Sequence, residues 1–368
     1  MRLEDVIKYI ESWAPPESAL EQDNPGLQVG DSSAAVKRII VTLDVTDQVI
    51  DEAIALGANL ILSHHPLIHK PLRRVSAEDG LGKQIARLLK HDIAVYAAHT
   101  NLDAARDGVS MVLAKILGVE KPRFLIPPDS RWLKKLAVFV PAQHLDRVRE
   151  AMAQAGAGLI GNYSHCSFNL PGTGTFLGSD ASSPSVGEKG KLESVAEIRL
   201  EMILPAWRLD AVTAAMKSVH PYEEVAYDVY PLDNADVNFG FGAIGELPEP
   251  VVLGVFMDRV RQKLSADVIG VVEGPARAIS RLAVCGGSGG DLAEAAWKQG
   301  ADALVTGEMK YHTLLQCKDR LTILIAGHYA SERVILPVWA ERLRNWLGDE
   351  SVQVMETKTL TSPLKYQS

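Results

Sequence analysis

Apolar positions along this chain alternate between two periods, and the alternation predicts helices and short strands in turn. Over residues 1–13, MRLEDVIKYIESW sets Leu3, Val6, Ile7 and Ile10 on one helical face, with Glu4, Asp5 and Lys8 on the other. From Arg38, RIIVTLDV reads as a β-branched strand, TDQVIDEAIALG as a helix closed by Gly57, and ANLILSHHP as a second strand ending on His64 and His65. The same order returns as RLAVCGG, DLAEAAWKQG and ADALVTGE. The helix ends Leu56-Gly57-Ala58-Asn59 and Gln299-Gly300-Ala301-Asp302 match, which aligns His65 with Glu308. Each half then runs through a further helix into IAVYAAHTNLD or LTILIAGHYASE, where a histidine precedes an acid by four residues. This aligns His99 with His328, and Asp103 with Glu332.

Short strands separated by helices predict mostly parallel βαβ units, hence an α/β fold in which two related halves form one core. The polar residues of interest fall just past strand C-termini, the edge at which open α/β sheets bind ligands. A second repeat interrupts the first. LAVFVPAQHLDRVREAMAQAG is echoed by RLEMILPAWRLDAVTAAMKSV, with NYSHCSFNL and EVAYDVYPL as the strands that follow, which predicts a doubled βαβ of ferredoxin-like type. The Pro-rich FLIPPDS and the Gly-rich NFGFGAIGELPEP read as linkers, so an inserted α+β domain is expected over 127–245 and a discontinuous core over 1–126 and 246–368. GTGTFLGSDASSPSVGEKG reads as a mobile loop or hairpin excursion within the insert.

The length of 368 residues agrees with two domains, and 47% hydrophobic with 23% charged residues is ordinary for a globular protein. A formal charge of −8 leaves no overall basic field, so nucleic acid is not an expected partner. Cys166, Cys285 and Cys317 are too widely spaced for a disulfide framework or zinc knuckle, which suits a reducing, cytoplasmic setting. The first segment is an amphipathic helix and no signal peptide, and apolar runs such as LTILIAG fall far short of the roughly 20 residues a membrane span needs.

The chemistry gathers on His64, His65, Asp103, His328 and Glu332. Imidazole with carboxylate suits Zn, Fe, Mn, Ni or Co, and adjacent histidines leaving a strand diverge, so each can serve a different ion. His328 and Glu332 lie four apart and share a face once a helix begins. His99, Asn101 and Glu308 are candidates for orienting ligands, with His99 and Glu308 as candidate proton-transfer groups. Asp44, also at a strand end, is a further candidate for orienting a ligand, yet its simplest role is to help Thr46 cap the next helix. CGGSGGD, from Cys285 to Asp291, lacks the lysine and spacing of a phosphate loop and reads as a tight turn. In the insert, His165-Cys166 and His220-Pro221-Tyr222-Glu223-Glu224 lack a third spaced ligand.

DNPGLQVG from Asp23, SHHP from Ser63, AAHTNLDAARDGVS from Ala97, VTGEMKYH from Val305 and AGHYASE from Ala326 together resemble the NIF-three-like family. Those proteins are described as dinuclear-metal-centre hexamers and often labelled GTP cyclohydrolase I type 2 homologues. GNYSHCSF, GTGTF and HPYEEVAYDVYPL are similar to the CutA/PII-like domain inserted in the longer members. The resemblance implies two divalent metal ions per chain on His64, His65, Asp103, His328 and Glu332, with Glu332 as the bridging carboxylate. It further implies a homohexameric toroid whose metal sites face an internal cavity, with the inserted domains near its openings. Three functions follow as expectations: a metal-dependent hydrolase acting on a nucleotide or heterocycle, as in opening the GTP imidazole ring; a two-metal phosphoesterase; or a non-enzymatic metal-binding scaffold or regulator.

Overall fold

A computed structural model describes residues 1–78, 80–127, 132–183, 185–234, 236–348 and 352–364. The chain forms two compact units, Met1–Ile126 with Phe239–Ser368, and Pro127–Asn238. The first unit opens with α1 (Leu3–Trp13), which buries Leu3, Val6, Ile10 and Trp13 at helical spacing. After it come β1 (Gly26–Val29), β2 (Arg38–Thr42), α2 (Asp47–Leu56), β3 (Leu60–Ser63), α3 (Gly80–Lys90), β4 (Ala94–Ala97), α4 (Thr100–Ala104), α5 (Val109–Leu117) and β5 (Glu120–Ile126). Thr46 caps α2 by accepting from Val49 N, and Gly57 closes it at φ 65°.

The second unit contains β6 (Leu133–Val140), α6 (Leu145–Gln154), β7 (Ser167–Leu177), β8 (Leu192–Pro205), α7 (Leu209–Val219) and β9 (Tyr227–Pro231). Its sheet runs β7-β8-β6-β9, antiparallel throughout, so the two strand-helix-strand copies interleave in the ferredoxin-like order. Leu136, Val138 and Val140 of β6 and Leu200, Met202 and Leu204 of β8 alternate inward onto Val148, Met152, Val212 and Met216 of the helices. GTGTFL is not loop: Gly172–Leu177 pair with Leu192–Glu197 and lengthen the hairpin, which leaves the sheet only from Gly178. Of the FLIPPDS linker, Pro128–Ser130 lie outside the described residues.

The first unit resumes with β10 (Phe241–Val252), α8 (Leu253–Leu264), β11 (Gly270–Val272), β12 (Ala278–Ser288), α9 (Ala293–Lys298), β13 (Ala303–Glu308), α10 (Tyr311–Cys317), β14 (Thr322–Ile325), α11 (His328–Glu332), α12 (Ile335–Leu347) and β15 (Gln353–Glu356). The expected boundary near Gly245 therefore falls inside a strand, and the units divide between Asn238 and Phe239. Gly245 pairs with Leu282, and a Cβ there would lie 2.6 Å from Val119 Cγ1, so this glycine answers to close packing and not to a linker.

Two sheets result, β1-β4-β3-β2-β15 and β11-β14-β13-β12-β10-β5. The inner strands β2, β3 and β4, like β12, β13 and β14, are parallel, and each set carries an antiparallel strand, β1 or β11, on its outer edge. Each half lends its last strand to the other sheet: β5 pairs with β10, and β15 with β2. Alternation sends Ile39, Val41, Leu60 and Leu62 into one apolar cluster with Leu282, Val284, Ala303 and Val305, while Ile40 and Ile61 pack under α2 and α3. Among the described residues no helix is long and apolar enough to cross a membrane.

The hydrogen-bond ladders correct one part of the repeat alignment. Leu60 faces Ala94 as Ala303 faces Thr322, so five residues on His99 corresponds to Gly327 and not to His328. Two residues separate strand from helix in each half, and Gly327, at φ 91°, takes the place in the second that His99 holds in the first. His99 thus precedes α4, whereas His328 is the first residue of α11. The two histidines are consequently presented differently.

Candidate metal centre

The C-terminal ends of β2, β3 and β4 in one sheet and of β12, β13 and β14 in the other supply the polar cluster. Ring nitrogens of His64, His65 and His99 lie within 4.8 Å of one another, and so do donor atoms of His65, His328 and Glu332. His65 belongs to both groups. Asp103, on α4, approaches from the same side, with Oδ1 3.7 Å from His64 Nε2. All five residues expected as ligands are therefore neighbours, and His99 stands among them.

Each ring is held by the nitrogen that faces away from the cluster. His64 Nδ1 lies 2.9 Å from the Ala98 carbonyl. A carbonyl only accepts, so Nδ1 carries the proton and Nε2 is left as a lone pair. His65 Nδ1 bonds Asp44 Oδ1 at 2.8 Å, His99 Nδ1 bonds Asp23 Oδ1 at 2.8 Å, and His328 Nδ1 lies 3.3 Å from Glu308 Oε1. Carboxylate or carbonyl behind each imidazole is the arrangement that orients histidine toward a metal.

Glu332 sits at the centre, 3% exposed. Its Oε1 is 3.9 Å from His64 Nε2, while Oε2 is 3.0 Å from His65 Nε2 and 3.1 Å from His328 Nε2. Despite those distances Oε2 lacks an aligned hydrogen-bond partner, as do the buried His64 Nε2 and Asp103 Oδ1. A buried imidazole lone pair facing two carboxylates is uncompensated without a cation. The residues present therefore fit a metal ion.

Electrostatics divides the adjacent rings of His64 and His65. Burial holds His64 down at about 3, so it stays neutral and able to donate its lone pair. Burial would also lower His65, but the Asp44 and Glu332 carboxylates override it and push it up to about 10. Glu332 itself is held well below the usual carboxylate range by His328 and His65, against the opposing effect of burial. Burial and the nearby Glu332 push Asp103 upward. In the metal-free chain His65 is thus an imidazolium at neutral pH and must lose a proton before it can ligate. Metal binding is expected to release that proton, so apparent affinity should rise with pH by up to tenfold per unit until about pH 10. Calorimetry in buffers of different ionisation enthalpy measures the release; uptake independent of buffer would contradict it.

Residues 1–363 match the family described as Duf34/NIF3 (NGG1p interacting factor 3). The chain belongs to that family. A Halalkalibacterium halodurans relative called GTP cyclohydrolase 1 type 2 homolog is 40% identical over 98% of this chain and 98% of its own length. The Bacillus subtilis protein of the same description is 39% identical over 99% of this chain and 98% of its own length. The crystal structure of a Bacillus cereus protein related to NIF3 superposes with a TM-score of 0.85 at 40% identity, covering 100% of this chain and 99% of that one.

In this NIF3-family chain some residues around the ligands were open to an orienting role in the sequence, and others, such as Asp23, carried no separate signal. Asp44 does not assist the cap of α2; it bonds His65, while Thr46 caps alone. Asp23 lies in the DNPGLQVG segment, which marked the family but named no role. It accepts from His99 Nδ1 and from the Thr100 backbone N–H and hydroxyl. Asn101 serves the turn, accepting from His99 N at 2.8 Å and donating to the Ala14 carbonyl at 2.7 Å. Within the glycine run, Gly287 has φ 63°, and a Cβ there would collide with Glu332 Oε1. Its backbone N–H donates to Ser331 Oγ, 3.0 Å away. The run expected to be a tight turn is the wall against which Glu332 rests. Among the insert's motif residues, His220 is a structural ring, bonded to the Phe139 carbonyl and the Tyr222 N–H.

Proposed function

We propose that the chain is a metal-dependent hydrolase with a two-metal centre, acting on a nucleotide or related heterocycle. The observation that carries this reading is the unpartnered His64 Nε2, buried opposite Asp103 and Glu332. His64, His99 and Asp103 would serve one ion, and His328 the other. His65 stands where the two donor groups overlap, and the two oxygens of Glu332 face different rings, which suits a bridging carboxylate. Two such ions supply Lewis acidity and make water a competent nucleophile near neutral pH.

The protein's own contribution is placement. Asp44, Asp23 and Glu308 fix the ring orientations from behind. A cavity of about 530 Å³ opens beside His65 and His328, a size suited to a small-molecule substrate. Tyr329 and Arg333 line it, the guanidinium 5.7 Å from the ring centroid, offering a heterocycle a stacking surface and a phosphate a cation. Glu308 lies on the same wall and would move a proton at the substrate, whereas His99, ringed with His64 and His65, would ligate. The relatives' shared description as GTP cyclohydrolase homologues supports GTP as the first substrate to try. The ferredoxin-like strand order likewise supports reading the second unit as a CutA/PII-like insert.

Incubating the metal-loaded chain with GTP is expected to release formate above a His65→Ala control. Phosphate release without formate would redirect the reading to phosphoester hydrolysis. Metal-loaded protein that turns over neither would overturn the hydrolase assignment.

A further inference from the structure

Residues 357–364, which follow β15, form no helix or strand, yet they are fastened from Thr357 to Thr361. Thr357 N donates to the Val41 carbonyl at 3.0 Å. The Thr357 and Thr359 hydroxyls and the Lys358 backbone N–H all donate to the Glu52 carboxylate. Thr361 Oγ1 then donates to Asp44 Oδ2 at 2.6 Å. The other oxygen of that carboxylate accepts from His65 Nδ1. Leu360, Ser362, Pro363 and Leu364 line the cavity that His65, His328 and Glu308 also line.

We propose that this C-terminal segment is a working part of the metal centre, in which Thr361 positions Asp44 and, through it, His65. The inference rests on the metal reading above. Asp44 is partly open to solvent, with 35% of its side chain exposed, so without a second donor it can rotate and share its oxygens with water. The Thr361 hydroxyl occupies Oδ2 and leaves Oδ1 aimed at the imidazole. The ring is thereby held with Nε2 toward Glu332. No sequence motif announces this residue, because its partner lies more than three hundred positions earlier in the chain.

Coupling of this kind is reciprocal: if the segment steadies His65 for a metal, the metal must steady the segment. It also makes residues 360–364 a specificity wall, since the same anchored stretch that orients a ligand borders the space a substrate would occupy.

The test uses the full chain, stripped of metal and titrated with Co(II), whose visible absorption reports ligand geometry. Thr361→Val keeps the shape and removes the donor, and is expected to weaken Co(II) binding by about 10-fold or more and to alter the absorption bands, as loss of an outer partner does. Thr361→Ser restores the hydroxyl and is expected to behave as wild type. Wild-type affinity and spectrum in Thr361→Val would overturn the inference while leaving the metal reading intact. Failure of the wild-type chain itself to bind Co(II) would overturn both. Amide hydrogen exchange over residues 357–364 of the wild-type chain provides a readout that does not depend on how the variant folds. Exchange is expected to slow when Co(II) is added, and unchanged exchange in Co(II)-loaded protein would overturn the inference.

Discussion

Glu332→Gln is expected to abolish stable metal binding while preserving the α/β fold. Glutamine matches the shape of glutamate but carries no charge, and its NH₂ group would turn a donor toward imidazole nitrogens. Both Glu332 oxygens face imidazole nitrogens, Oε1 3.9 Å from His64 Nε2 and Oε2 3.0 and 3.1 Å from His65 and His328. Losing a group that faces three rings should cost more than the roughly 10–100-fold seen when an outer partner is removed. The metal-free chain should also weaken, because His65 would lose one of the two carboxylates that hold it protonated. Removal of one member of a buried pair costs about 3–5 kcal/mol, and His65 limits that loss by releasing its proton. Elemental analysis of gently purified protein, with thermal melts before and after chelation, reads both effects. Metal content equal to wild type would remove Glu332 from the centre.

Gly287→Ala should disable the same carboxylate from outside. The backbone at Gly287 is left-handed, φ 63°, which costs an alanine about 1–2 kcal/mol. The new methyl would also collide with Glu332 Oε1, and His328 Cε1 lies only 3.3 Å from it. The wall is stiff here: Gly287 N is bonded to Ser331 Oγ, and Gly287 O accepts from Thr306 Oγ1 at 3.0 Å. The carboxylate is therefore the group that moves. Metal content and affinity should fall sharply with a modest loss in melting temperature, whereas unchanged metal binding would show that Glu332 tolerates displacement. Gly245→Ala is the informative contrast, since it meets Val119 away from the centre and should reduce stability without a selective loss of metal.

The ligand candidates were legible because chemistry-bearing side chains recur just past apolar strands, and in parallel sheets those ends share an edge. His64 and His65, at the end of β3, illustrate this. Their supporting partners were legible only in part, Glu308 among them. Asp44, Asp23 and Thr361 are short polar residues in turns or loose segments, where capping is the commoner use of such side chains. Only proximity to a particular ring nitrogen assigns them. Asp44 shows the difference: in sequence it is open between a cap beside Thr46 and a place behind a ligand, and in space it faces His65.

The insert was similarly divided between pattern and pairing. Its doubled strand-helix-strand order followed from repeated apolar periods in LAVFVPAQHLDRVREAMAQAG and RLEMILPAWRLDAVTAAMKSV. The glycine-rich GTGTFL left loop and hairpin both open, because glycine lacks the side chain that makes a strand recognisable. It is held as strand by backbone bonds to Leu192–Glu197.

Sequence by itself determined the alternation of helices and strands, the internal repeat and the set of imidazoles and carboxylates, since these depend on local periodicity and residue chemistry. Tertiary structure decided the rest. It shifted the repeat by one residue at Gly327, returned Gly245 to the core, made Gly287 the support of Glu332 and gave each imidazole the partner behind it. Those outcomes depend on ladder register and on contacts between residues far apart in the chain, which periodicity does not encode.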